Sequence, residues 1–80
     1  MRTLLEICEF ETSTDECLRT WQLAKYDAKL ARRTVGAPED EVMADCWVVP
    51  NSQRAWLQRL IAFEPDFENC EYQVSELGPA

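Results

Sequence analysis

The sequence predicts a small α+β domain in the order β-α-β-α-β, a three-stranded sheet with two helices packed on one face. Three observations predict it. Residues 70–77 alternate apolar and polar side chains, as a strand with one wet face does. Residues 13–35 repeat their apolar positions at helical spacing. A second helical stretch lies between Pro50 and Pro65, residues that stop regular structure. With 80 residues the chain is too short for a second core, so residues 1–80 are read as a single domain.

The first strand is expected over residues 3–11. Leu4, Cys8 and Phe10 share one parity, and Leu5 and Ile7 share the other with Glu9 and Glu11, so the pattern leaves its facing open. Ser13-Thr14-Asp15-Glu16 has the spacing of a capping box, in which the serine and the glutamate satisfy early helical N–H groups. A helix is therefore expected from Ser13 to about Val35, where Gly36 and Pro38 end it. Its main stripe is Cys17, Trp21, Ala24, Ala28, Ala31 and Val35. Leu23, Tyr26 and Leu30 form a second stripe on the opposite side at ~100° per residue, an apolar surface in excess of what a two-layer domain buries. The second strand is expected over Val42–Val49, and Asn51 or Ser52 caps a helix reaching about Phe63. Cys70–Leu77 is the third strand, and Gly78-Pro79-Ala80 a short tail.

Composition removes several classes of function. Without histidine, neither Ser-His-Asp nor Cys-His catalysis can be assembled within the chain, and no other spacing marks a catalytic residue. Cys8, Cys17, Cys46 and Cys70 contain no C-x₂-C pair, so no metal site is expected, and no cofactor motif is present. The four cysteines are expected as reduced, small core residues. No apolar run approaches the ~20 residues of a membrane span. Glu6 falls where a secretion signal needs its apolar stretch, so the expected compartment is the cytosol.

What remains is charge. Fifteen acidic against eight basic residues give a net charge of −7. The acids cluster at Glu39, Asp40, Glu41 and Asp45, and again at Glu64, Asp66 and Glu68. In an extended chain, acids two residues apart lie ~6.6–7 Å apart, near the spacing of successive phosphates on a nucleic-acid strand. Such rows can occupy a basic groove. The alternating oxygens of residues 66–69 lack the glycine and distal glutamate of a calcium loop. Trp47 stands between two readings. If Ala44, Cys46 and Val48 face the helices, Trp47 and Val49 face outward as an interface anchor; otherwise Trp47 is core.

In size, in the Glu-Asp-Glu run at 39–41 and in the alternating acids at 64, 66 and 68, the chain resembles the small acidic inhibitors that phages encode, anti-CRISPR proteins and other DNA mimics. The resemblance implies a non-enzymatic protein that blocks a basic nucleic-acid-binding complex in the host-cell cytosol. It implies no direct contact with nucleic acid or membrane. On this reading the partner-binding residues are the acids Glu39, Asp40, Glu41, Asp45, Glu64, Asp66 and Glu68, with Leu23, Tyr26, Leu30 and Trp47 as apolar anchors. The alternative is a homodimeric adaptor or regulatory subunit that pairs through those apolar residues, its acidity serving solubility only.

Overall fold

The computed structural model describes residues 3–78. Met1, Arg2, Pro79 and Ala80 lie outside them, and with them the ends on which the readings of a missing secretion signal and a short tail rest. The order is β1 (Leu4–Glu11), β2 (Cys17–Leu23), α1 (Ala28–Val35), β3 (Trp47–Val48), α2 (Arg54–Ile61) and β4 (Cys70–Leu77). A 3₁₀ turn at Asn51–Gln53 leads into α2. The sheet is four-stranded and antiparallel, in the order β2-β1-β4-β3.

The three-stranded sheet expected from the sequence is therefore incorrect. The error lies in residues 13–23. Ser13 to Glu16 do not cap a helix; they close a hairpin in which the Glu11 N–H donates to the Glu16 carbonyl at 2.9 Å. Ser13 Oγ donates to the Glu11 carboxylate at 2.7 Å instead of capping. Asp15 takes φ 57°, the left-handed conformation that aspartate tolerates and that the turn requires. The chain then returns along β1 as an edge strand. Arg19, Trp21 and Leu23 lie opposite Glu9, Ile7 and Leu5. The 4-3-4-3-4 stripe was a coincidence of periods. Trp21, Ala31 and Val35 do reach the core, but Cys17 and Ala24 are exposed.

Local chemistry fixes the rest. Asp27 caps α1 by accepting the Leu30 N–H at 3.1 Å, and Gly36 ends it at φ 82°. The expected stop after Val35 stands, although the helix begins at Ala28 rather than Ser13. Only Trp47 and Val48 of the expected 42–49 strand pair with β4. Residues 70–77 are a strand as the alternation requires.

Leu5, Ile7, Tyr72 and Val74 of the sheet pack with Ala31 and Val35 of α1 and Trp56, Leu57 and Ile61 of α2 in one cluster. Both helices thus cover the same face. Of the cysteines, only Cys70 is core: Cys8 is half-buried, and Cys17 and Cys46 are exposed.

Two carboxylates share the buried face. Glu9 accepts a short hydrogen bond from the Tyr72 hydroxyl and faces Arg19 at 3.6 Å. Arg19, itself about half exposed, also lies 4.1 Å over the Phe63 ring. Burial, and then the Glu9 carboxylate, push the Tyr72 hydroxyl far above its ordinary pKa of 10.0. A folded-state pKa raised in this way stabilises the protein fully below pH ~10 and progressively less as pH rises above it. Tyr72→Phe leaves Glu9 buried without its donor and is expected to cost about 1–3 kcal/mol, read as a lower urea midpoint at unchanged slope. The variant should also lose the wild type's fall in stability above pH ~10.

Candidate functional site

The second buried carboxylate organises the segment between α1 and β3. Glu76 is on the helix-side face of β4, opposite Leu5 of β1, with its side chain fully buried. Arg32 on α1 grips it with Nε to Oε1 at 2.7 Å and Nη2 to Oε2 at 3.1 Å. The Tyr26 hydroxyl donates to Oε2 at 2.5 Å, and the Met43 N–H to Oε1 at 3.0 Å. Thr3 Oγ1, bonded to Tyr26, lies 3.2 Å from the same Oε2. Burial alone would raise the pKa of Glu76; the Arg32 guanidinium, the Tyr26 hydroxyl and the Met43 amide outweigh it and hold the carboxyl at about 2. Among the described residues every buried side-chain nitrogen and oxygen has a partner.

This cluster pins residues 36–46, which have no regular structure of their own. The Ala37 N–H donates to the Arg32 carbonyl at 2.8 Å, closing the helix end. Arg32 Nη1 reaches the Glu39 carbonyl at 2.8 Å, so one guanidinium ties the loop to Glu76. Met43 is buried, and its carbonyl accepts the Glu76 N–H at 2.8 Å. Around these anchors Glu39, Asp40, Glu41 and Asp45 are all exposed. The loop is fixed by its backbone and one methionine while its acids face water.

Trp47 is on the helix-side face of β3, opposite Val74, and is half-buried against the core. Of the two readings of Trp47 the outward one is incorrect and the core one holds, because β3 pairs so that Val48, 50% exposed, takes the open side. Trp47 still meets the acids. With Ala37, Pro38, Glu41, Val42 and Asp45 it lines a concavity of about 190 Å³. The structure thus brings Glu41, Asp45 and Trp47 together, with Glu39 and Asp40 on the adjoining turn.

The other expected residues lie elsewhere. Leu23, Tyr26 and Leu30 are not a helical stripe: Leu23 ends β2 and packs on the core, Tyr26 is in the following connection, and Leu30 is on α1. Tyr26 and Leu30 line a groove of about 210 Å³ with Trp56 and Leu60 of α2. Glu64, Asp66 and Glu68 do not form an extended row, since residues 67–69 turn. Asp66 caps that turn. It accepts from Asn69 Nδ2 at 3.0 Å and from the Glu68 and Asn69 amides at 3.2 and 3.3 Å. The Asn69 side chain leads in holding its pKa below the usual value. Glu64 is exposed and faces Arg54 at 3.8 Å. Among the described residues no three cysteines or acids stand close enough to hold a metal ion, and no helix is long and apolar enough to cross a membrane.

The residues that sequence reasoning missed are Glu76, Arg32 and Met43. A signal was present: Glu76 has the parity of Tyr72 and Val74, so a carboxylate stands on the buried stripe and requires a cation.

A family described as Domain of unknown function (DUF7683) matches residues 5–75. The chain belongs to this family. The DUF7683 match runs from Leu5 on β1 to Ser75 on β4 and so takes in both helices and the acidic loop. No curated protein and no solved structure matches the chain.

Proposed function

We propose that this DUF7683 protein is a non-enzymatic inhibitor that seats its acidic loop on a cationic surface of a nucleic-acid-binding protein or complex. The observation that carries the reading is the pinned loop: four exposed acids on a backbone held by the buried Glu76–Arg32 pair. A binding element already fixed in its bound form loses little conformational entropy on association. Half-buried Trp47 supplies an aromatic anchor beside the charges. Charge is also segregated along the chain. Residues 17–35 hold five of the eight basic residues but one of the fifteen acidic ones, and the four acids of the loop follow with no basic residue among them. The two fully engaged carboxylates, Glu9 and Glu76, are tied to structural partners, which favours binding over acid–base chemistry. The protein acts in the cytosol, where such complexes work.

Capture from a bacterial lysate tests the reading. The immobilised chain is expected to retain a nucleic-acid-binding complex at low salt and to release it to high salt or to competing DNA, because screening weakens exposed charge pairs. Retention through high salt of a DNA-indifferent partner, or of a second copy of the chain alone, would reject it. That result would move the function to an adaptor docking in the Tyr26/Leu30 groove.

A further inference from the structure

We propose that Cys8 and Cys17 form an oxidation site, closing an intramolecular disulfide across the β1–β2 hairpin when the protein meets a peroxide. Strict alternation would not bring them together. Cys17 has the parity of Arg19, Trp21 and Leu23, which face the helices. The ladder slips between Glu9 and Phe10, so that Leu18 is an extra residue and Cys17 pairs with Phe10. That bulge turns Cys17 onto the uncovered face of the sheet, diagonal to Cys8, whose own cross-strand partner is Thr20. Both sulfurs converge on one atom: Thr20 Oγ1 lies 3.4 Å from Cys17 Sγ and 3.9 Å from Cys8 Sγ. Diagonal neighbours on paired strands stand ~7–8 Å apart, so closing the bond requires a local backbone shift, which the bulge in the edge strand β2 allows.

The two thiols differ in access. Cys17 is exposed and is the one a peroxide reaches first. Cys8 is half-buried, and burial pushes its thiol up to about 11, so it is not the thiol that a peroxide oxidises first. In the first step the Cys17 thiolate attacks one peroxide oxygen. The O–O bond breaks, the leaving hydroxide takes up the proton that the Cys17 thiol released on forming the thiolate, giving the first water, and Cys17 becomes a sulfenic acid. Cys8 sulfur then attacks Cys17 sulfur. The S–O bond breaks, and the departing hydroxide takes the Cys8 proton. Two thiols and one hydrogen peroxide give one disulfide and two waters. In a reducing compartment the thiol pool reverses the bond, so the site reports transient oxidation.

The proposal is independent of what the acidic loop binds. Its test is treatment of the reduced, full-length chain with hydrogen peroxide, then alkylation in denaturant and intact-mass measurement. The expected product is a monomer lighter by two hydrogens, with alkylatable thiols falling from four to two. Trypsin releases both cysteines in the fragment 3–19, which should carry the mass loss and no label. Cleavage after glutamate separates them and should give a linked pair of fragments. Cys8→Ser should abolish the lighter monomer and leave a Cys17 sulfenic acid that dimedone traps, while Cys46→Ser should change neither result. A link that involves Cys46 or Cys70, a product that is only cross-linked between chains, or a Cys8 that stays alkylatable after Cys17 is oxidised would overturn the proposal.

Discussion

Glu76→Ala is expected to lower stability by about 3–5 kcal/mol, because it strands the Arg32 guanidinium beside the core and leaves the Met43 amide and Tyr26 hydroxyl without their acceptor. In a chain of this size each kcal/mol shifts Tm by roughly 4–8 °C, so the variant should melt far below the wild type or fail to fold. The pH profile gives an independent reading of the same cluster. The folded-state carboxyl sits at about 2 against an ordinary 4.5. A depressed carboxylate contributes its full stabilisation above the unfolded value and loses it as pH falls through the folded one. The wild type is therefore expected to lose roughly 3 kcal/mol between pH ~4.5 and ~2, followed by denaturation at fixed pH values. A double variant, Glu76→Leu with Arg32→Leu, separates stability from loop order. Replacing both members of a buried pair with apolar residues is often neutral, so this variant should fold. Its loop, deprived of the side-chain bonds to the Glu39 carbonyl and the Met43 N–H, should lose protection at the Met43 amide.

Reversing Glu39, Asp40 and Glu41 to lysine is expected to weaken capture of the cationic partner on the order of 100-fold at low salt, with a smaller deficit at high salt. All three side chains are exposed, and the hydrogen bond at Glu39 is made by its carbonyl, so the triple variant should keep the wild-type Tm. Unchanged affinity in a folded triple variant would remove the loop from the interface.

How far these features were legible depends on the range of the interaction that makes them. β4 was read from alternation because one strand with one wet face carries its own pattern in Cys70, Tyr72 and Val74. The end of α1 was read from Gly36 because a left-handed cap is a single-residue signal. β2 was not read. Ser13-Thr14-Asp15-Glu16 satisfies a helix-start pattern as well as a hairpin turn, and the turn contains no glycine or asparagine to decide between them. Only pairing with β1, a non-local interaction, makes 17–23 a strand. The acidic loop was legible as composition but not as geometry. Its fixed shape comes from Arg32 and Glu76, 44 residues apart, and no local pattern links them. The expected row of acids at 64, 66 and 68 failed for the opposite reason: Asp66 found a local partner in Asn69 and became the cap of a turn.

The most direct test is amide hydrogen exchange across residues 36–47, measured on the free protein and on the complex captured from lysate. The account predicts a Met43 amide that exchanges slowly already in the free chain, and added protection from Glu39 to Asp45 in the complex. A Met43 amide that exchanges as freely as an unanchored loop, or added protection confined to the Tyr26/Leu30 groove, would contradict it.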